Sequence, residues 1–280
     1  MTLRVGLWIV LVGLMAGPSA IACESQCIEK GQWQLGVAIG AGVRSNPLVD
    51  GDNIPLVVLP DIAWYGEAFY LDNDEVGYQV IDNGTFALEG FVNLNKEAAN
   101  FAFWHPANLF SNMALGSGFI GPSMEVKRTV SKDDVATRRW SVNGGVRLHL
   151  RHESGEFQAS MVTDVGKVHH GQQAELSYSL SWQTGHWTWV ATPSLVWKST
   201  KLVDYYYGLD DRDEVDTSLY YEARSGWYPS LSIQVIRPIA EHWRLIGSLT
   251  WTELHKGMTA SPLLDESKIR GIFVGAAYHF

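Results

Sequence analysis

The chain has 280 residues and a formal net charge of −9, and charged residues make up 18% of it, against about 25% in soluble domains. Such an acidic chain lacks the basic face that binds nucleic acid, which excludes nucleic acid as a partner. The sequence is also rich in tryptophan (12), tyrosine (11) and glycine (27), and the fold has to account for this.

The first 22 residues have the pattern of a cleaved signal peptide. Arg4 forms a basic start, Val5 to Met15 form an apolar run, and Ala20 and Ala22 form the small-x-small pattern that precedes cleavage. The apolar run is shorter than the roughly 20 residues that a membrane-spanning helix needs. We therefore expect residues 1–22 to be removed and the mature chain to leave the cytoplasm.

The two cysteines, Cys23 and Cys27, stand at the start of the expected mature chain. Cys23 loosely matches the motif of a lipidated cysteine, but Ala20 occupies the position where leucine is usual. Ordinary cleavage is the favoured interpretation over lipidation, and the two cysteines can then close a small disulfide in an oxidising compartment. In neither case do they form a framework for the fold.

From Trp33 onward, large apolar residues recur mostly at every second position. The clearest runs are Trp33 to Val43, Trp140 to Arg151, Gln172 to Gln183, Trp187 to Trp197 and Trp243 to Trp251. A soluble strand usually has five or six residues, whereas a tilted strand that crosses a bilayer needs about 9 to 11. The alternate faces are polar, and tryptophan or tyrosine lies near both ends of the apolar faces. This pattern favours an outer-membrane β-barrel over a secreted β-sandwich.

Weaker patterns add further strands at Ile54 to Tyr65, Phe69 to Ile81, Phe86 to Leu94, Phe157 to Val165, Gly226 to Arg237 and residues 268–280. We expect Phe69 to Ile81 to be one strand with a kink at Asp72-Asn73-Asp74. We also expect Pro60 to distort its strand, because proline inside a strand usually marks an edge or a bulge.

The number of strands follows from the position of the chain ends. Both termini of such a barrel lie in the periplasm, which requires an even number. With about eleven candidates, we predict a single antiparallel all-β transmembrane barrel of twelve strands over residues 33–280, with ten as the next choice. The missing strand is expected within 95–139 or 199–225, and 95–139 can equally hold a plug or a loop. Residues 23–32 form a periplasmic N-terminal segment, and the acidic stretch 209–218 is expected to be solvated.

The C-terminal strand explains why the chain ends on phenylalanine. Ile272, Val274, Tyr278 and Phe280 form one large apolar face, which we expect to contact lipid. The opposite face is mostly small, and we expect it to fit a crowded lumen or the seam with the first strand. Tyr278 and Phe280 resemble the terminal signal that the outer-membrane barrel assembly machinery recognises.

Charged residues on the polar faces are the candidates for function. They are Arg147, Arg151, Arg244, Glu175, Glu253 and Asp164. They can line a narrow pore or fill a plugged interior with salt bridges, as is normal in small barrels.

Histidines provide weaker candidates for chemistry. His149 can serve as a general base in a lipid-modifying barrel enzyme, but no serine or aspartate partner is evident at strand spacing. The adjacent His169 and His170 favour a polar periplasmic turn over a weak metal site. We expect no catalytic residue, cofactor or metal.

Several short stretches, in this order along the chain, resemble the MipA/OmpV family of MltA-interacting outer-membrane proteins. They are "GVAIGAGV" at 36–43, "LPDIAWYGEAFYLDNDEVGYQV" at 59–80, "YYYG" at 205–208 and the closing "GIFVGAAYHF". The resemblance implies a non-enzymatic barrel in the outer membrane of a Gram-negative cell. It also implies a scaffold that bridges a lytic transglycosylase and a murein synthase during peptidoglycan turnover.

Three functions therefore follow from the sequence. The leading one is a scaffold for the murein machinery that meets its partners through turns and the N-terminal segment. The alternative is a narrow pore or a small-solute-binding barrel that uses Arg147, Arg151 and Arg244, and the third is a lipid-modifying enzyme.

Overall fold

The computed structural model describes residues 30–101 and 129–280. Ala20, Ala22, Cys23 and Cys27 lie outside the described residues. The described strands are β1 Trp33–Arg44, β2 Ile54–Pro55, β3 Val58–Tyr65, β4 Phe69–Asp72, β5 Glu75–Asp82, β6 Phe86–Leu94, β7 Val142–His152, β8 Gly155–Asp164, β9 Gln172–Thr184, β10 Trp187–Lys198, β11 Gly226–Pro238, β12 Trp243–Glu253 and β13 Lys268–His279.

These strands form one closed antiparallel barrel. Strands β3 to β13 pair in chain order, and β13 pairs with β1 to close the sheet. Strands β2 and β3 both pair with β1, so they are two segments of one barrel strand, interrupted at Leu56 and Val57. The barrel therefore has twelve strands, which confirms the prediction. Distortion was expected at Pro60, but the interruption lies a few residues earlier.

The expected kinked strand at 69–81 is instead a hairpin. Strands β4 and β5 pair with each other around a two-residue turn, in which Asn73 has a left-handed φ of 51°. Asparagine tolerates this conformation well, so the chain reverses where a kink was predicted. This hairpin supplies the twelfth strand, and the described parts of 95–139 and 199–225 contain no strand.

The two ends of the barrel differ. The start of β1 at Trp33 and the end of β13 at His279 lie at one end together with the tight turns after β3, β5, β7, β9 and β11, and we call it the short-turn end. The other end, the loop end, carries the connections 45–53, 165–171, 199–225 and 254–267, and the described residues 95–101 and 129–141. Helices α1 (Thr200–Tyr207) and α2 (Lys256–Thr259) lie in two of these connections. None of the described helices is long and apolar enough to cross a membrane.

The outside of the barrel is apolar, as the alternation predicts. Large exposed side chains such as Ile39, Val146 and Val274 cover the middle of the strands. Exposed tryptophans lie near both ends, for example Trp33 at the short-turn end and Trp227 at the loop end. An apolar band between two aromatic girdles is the surface that a bilayer requires.

One side of the interior, next to the seam between β1 and β13, is filled by apolar side chains. Phe273 is fully buried there and packs with Ala38, Leu59 and Ala277. Its ring lies over Gly40 and Gly275, which face each other across the seam. The small face of the last strand therefore makes room for one inward-pointing aromatic ring.

Candidate functional site in the barrel lumen

The side of the interior away from the seam holds an ion cluster at about mid-height. Arg147 on β7 donates to both carboxylate oxygens of Glu75 at 2.6 and 2.7 Å and to Glu89 at 2.7 Å. Its guanidinium also lies 3.9 Å from the centre of the Phe91 ring. The Tyr70 hydroxyl donates to Glu75 at 2.8 Å. Because all four polar groups are mostly buried, this network fixes Arg147 in the lumen.

His149 follows Arg147 on the same face and lies between two glutamates. Its Nδ1 lies 2.6 Å from Glu156 Oε1, and its Nε2 lies 3.2 Å from Glu89 Oε1. A general base for lipid cleavage would need a hydroxyl nucleophile within reach. Carboxylates and the amide of Gln158 surround this ring in the described structure, so the arrangement is that of a structural ion network.

The structure separates the other two predicted arginines from Arg147. Arg151 lies at the short-turn end, half-exposed, and pairs with Asp82 at 2.9 Å. Arg244 lies on the inward face of β12 at the same end, beside His279. The three arginines therefore form no single binding site.

The three predicted acids also take different roles. Glu175 lines a lumen cavity. Asp164 ends β8, where its Oδ2 accepts backbone N–H groups from residues 168, 169 and 170 at 2.6 to 2.8 Å. Glu253 was predicted to face the lumen, which is wrong, because it lies on the outward face of β12 with Trp251 and pairs in register with Lys268.

Two cavities lie on either side of the ion cluster. The loop-side cavity has a volume of about 640 Å³ and is lined mainly by serine, threonine, asparagine and glutamine. The smaller cavity, about 300 Å³, lies towards the short-turn end among tyrosines and charged groups. Both are lined by Asp72, Glu75, Arg147 and Gln158, so the ion cluster forms the boundary between them.

A packed layer of loops, which we call the cap, covers the loop end. Leu202, Val203, Tyr206 and Tyr207 of α1 are almost completely buried in it, together with Met258 of α2. The "YYYG" motif thus supplies two of the largest buried side chains of the cap.

A buried ion pair ties two distant loops together within the cap. Arg138 donates to both oxygens of Asp213 at 2.7 and 3.1 Å, and both side chains are almost fully buried. Arg138 also donates to the backbone carbonyls of Tyr206 and Gly208. The expectation that all of 209–218 is solvated is therefore wrong for Asp213, because this ion pair draws it inside.

A second network joins the cap to the barrel wall. Glu97 accepts hydrogen bonds from Lys198 of β10 and from the Tyr207 hydroxyl, which in turn accepts one from Asn100. Burial alone would raise the pKa of Glu97, but the Lys198 ammonium and the two hydrogen bonds outweigh it and hold that pKa below its ordinary value. Burial and the nearby Glu97 carboxylate raise the pKa of Tyr207. Glu97 is therefore ionised and Tyr207 neutral at pH 7.

The adjacent histidines lie in the loop between β8 and β9. This loop belongs to the cap, at the end of the barrel opposite to the one where β13 finishes. A periplasmic turn here is therefore inconsistent with the predicted periplasmic C-terminus. His169 is buried, with Nδ1 accepting from the Gly171 N–H at 2.9 Å and Nε2 lying 3.0 Å from the Ser141 hydroxyl. No group of three or more metal-ligating side chains occurs in the residues that the structure describes.

Comparison with known proteins places the barrel in a family. The family model "MltA-interacting protein MipA" matches residues 37–280. The chain belongs to this family.

Several relatives of this MipA-family chain are outer-membrane proteins by name. It is 23% identical to the Escherichia coli K12 outer membrane protein YiaT over 88% of this chain and 91% of that protein. It is 22% identical to the E. coli K12 MltA-interacting protein over 97% of this chain and 98% of that protein. Among solved structures, the NanC porin superposes with a TM-score of 0.44 and 9% identity, covering 87% of this chain and 98% of that one. The family match and the names of the relatives, together with the closed barrel of long strands, show that the protein is an outer-membrane β-barrel.

Proposed function

We propose that this protein is a scaffold of the cell envelope that holds murein enzymes at the inner face of the outer membrane. In this proposal, residues 1–22 are removed, residues 23–32 lie in the periplasm, and residues 33–280 form the barrel. The short-turn end faces the periplasm, since barrels of this class carry their short turns there. The partners are a lytic transglycosylase and a murein synthase, and the barrel assembly machinery inserts the chain.

The observation that carries the proposal is an acidic rim at the short-turn end. Glu67, Glu153 and Glu241 are exposed, and each lies in a different turn. Of the nearby cations, Arg151 pairs with Asp82 and Arg237 lies 5.2 Å from the centre of the Trp187 ring. Lys30 is exposed at this end, so three exposed glutamates outnumber one exposed lysine. A rim of this kind favours a partner with a basic surface and speeds their encounter.

The arrangement of the lumen supports the same function. Arg147 and its glutamates lie between the two cavities, and Phe273 with its neighbours fills the side next to the seam. A barrel that is plugged in this way offers partners its turns and termini rather than a passage. A relative that matches almost end to end is named an MltA-interacting protein, which supports partner binding by this chain as well.

The test is capture of murein enzymes by the purified full-length protein. In a mild detergent, we expect it to recover a lytic transglycosylase and a murein synthase from a periplasmic extract, as identified by mass spectrometry. The variant Glu67→Gln/Glu153→Gln/Glu241→Gln should recover about tenfold less at low salt, since rim charges act mainly on association. The difference should shrink as salt screens these charges.

The control carries the same change of charge at the opposite end. Asp133, Asp211 and Glu214 are exposed in the cap, and Asp133→Asn/Asp211→Asn/Glu214→Gln should capture as well as the wild type. Recovery of no murein enzyme by the wild type would overturn the scaffold. Equal loss in both triple variants would overturn the rim as the binding surface.

A narrow pore is the second candidate, because two polar cavities lie in series along the lumen. Among the described residues, Arg147 and Glu75 of the ion cluster form their common boundary together with Asp72 and Gln158. The pore requires this cluster to open, and the conductance of single barrels distinguishes the two functions.

A further inference from the structure

One part of the lumen wall has a regular chemistry that a scaffold does not need. On the inward faces of β9 to β12, four small hydroxyl side chains lie side by side at the same level. Ser194 pairs in register with Ser177 on one side and Ser230 on the other, and Ser230 pairs with Thr252. Because neighbouring strands lie about 4.8 Å apart, this row places one hydroxyl on each strand, at intervals of about 4.8 Å around the wall.

A second row lies two residues along each strand, again on the inward face. Ser232 pairs in register with Thr192 and Thr250, and the Thr192 hydroxyl lies 3.0 Å from that of Ser179. All eight hydroxyls line the loop-side cavity. We call these two rows the hydroxyl panel.

Much of the panel is available for a ligand. Ser179 bonds to Thr192, and Ser230 lies 3.0 Å from Thr252, while the other four hydroxyls make no side-chain hydrogen bond within the described part of the chain. The Tyr228 hydroxyl and one carboxylate oxygen of Asp74 also lack a partner there, and both residues line the same cavity. Groups that both donate and accept hydrogen bonds would complete these contacts.

The charges of the cavity limit the kind of ligand. On the wall away from the panel, Arg147 is already bound to Glu75, and Asn93 donates to Glu75 at 3.2 Å. Lys198 is held by Glu97, and Arg44 donates to Asn100 at 3.0 Å. The lining also contains Lys96, but Asp72 and Asp74 offset its charge. Glu175 lies next to the panel on β9, and its carboxylate disfavours an anionic ligand. A volume of about 640 Å³ lies within the range of small-molecule sites.

We propose that the hydroxyl panel binds a neutral, polyhydroxylated solute of the size of a mono- or disaccharide. Sugar hydroxyls donate and accept hydrogen bonds, so they match serine and threonine hydroxyls, the Glu175 carboxylate and the Tyr228 hydroxyl at once. The proposal is independent of the scaffold function, because the panel lies in the lumen and the acidic rim lies outside it.

The experiment is calorimetric titration of the full-length protein in detergent with maltose, and in parallel with gluconate and glucosamine. Maltose should bind, and gluconate should bind at least about tenfold more weakly because of Glu175. The variant Ser194→Ala/Thr250→Val removes one free hydroxyl from each row and should weaken maltose binding by about thirtyfold, since each of the two lost hydrogen bonds costs on the order of 1 kcal/mol.

The matched control is Ser160→Ala on β8. Ser160 shares the inward face of β8 with Gln158 but lines neither cavity, so this variant should bind maltose as the wild type does. Absence of maltose binding, unchanged affinity in Ser194→Ala/Thr250→Val, or binding of glucosamine alone would each overturn the proposal. Barrels that still capture murein enzymes but do not bind maltose would leave the scaffold function standing.

Discussion

At the scale of single residues, His169 links the stability of the cap to pH. A backbone N–H can only donate, so the bond from Gly171 fixes Nδ1 as an acceptor and leaves the proton on Nε2, towards Ser141. Protonation would place a second donor against the Gly171 N–H. Burial lowers the pKa of His169, although the Asp164 carboxylate acts in the opposite direction. The folded cap therefore holds neutral His169.

The sign of the pH effect follows from this lowered pKa. Between the folded pKa and the ordinary value of about 6.5, the open cap binds more protons than the folded cap. We therefore expect the free energy of cap opening to fall as the pH drops from 7 to 5. Glu97 stays ionised over this range because its pKa is lowered. Hydrogen exchange of residues 199–225, corrected for intrinsic rates, measures the effect.

The variant His169→Gln serves as the control for this prediction. Glutamine can accept one hydrogen bond and donate another but does not titrate, so protection of the cap should become nearly independent of pH. Equal protection of the wild-type cap at pH 5 and pH 7 would contradict the prediction, as would a glutamine variant that still loses protection at pH 5.

At the scale of elements, the seam between β1 and β13 depends on glycine. A Cβ at Gly275 would lie 2.5 Å from the Ile39 carbonyl oxygen and 2.7 Å from the Phe273 ring. Since the first contact is with backbone, the strands themselves would have to shift. We expect Gly275→Ala to destabilise the barrel by about 1–3 kcal/mol, the usual cost of overpacking. The temperature at which the folded band unfolds on unheated gels should fall.

Gly90 on β6 provides the matched control for the seam. A Cβ there would meet its nearest atom, the Gly145 carbonyl oxygen, at 3.8 Å, which is an ordinary contact. Gly90→Ala should therefore leave the unfolding temperature almost unchanged. If both alanine variants behaved alike, a general loss of glycine rather than the close approach of β1 and β13 would explain the result.

The strands and loops differ in how well the sequence predicts them. Long strands such as β9 and β10 repeat their two-residue pattern often enough to be recognised, and Arg147 followed from that pattern. Strand β4 has only four residues, so no period can be read from it, and the turn at Asn73 looked like a kink. Arg138 and Asp213 are 75 residues apart, and no local pattern links them. Short elements and contacts between distant loops therefore required the structure.

At the scale of the whole molecule, the two candidate functions differ in what happens at mid-height of the barrel. Arg147 bridges Glu75 and Glu89 between the two cavities. If the barrel is a scaffold, the wild type should give no steady conductance steps in a planar bilayer. Arg147→Ala should give small steps, because it joins the cavities and shortens a side chain in the lumen. These steps should favour cations, since the two glutamates lose their counter-charge.

The control for this test is Arg151→Ala, which removes the same charge at the short-turn end. Arg151 is half-exposed and pairs with Asp82 away from the boundary of the cavities, so the Arg151→Ala variant should give no conductance steps. Regular steps from the wild type would contradict a closed lumen and favour the pore. If Arg147→Ala also gave no conductance steps, the apolar side of the interior at Phe273, rather than the ion cluster, would be what closes the barrel. The same recordings thus decide between scaffold and pore and locate the barrier within the lumen.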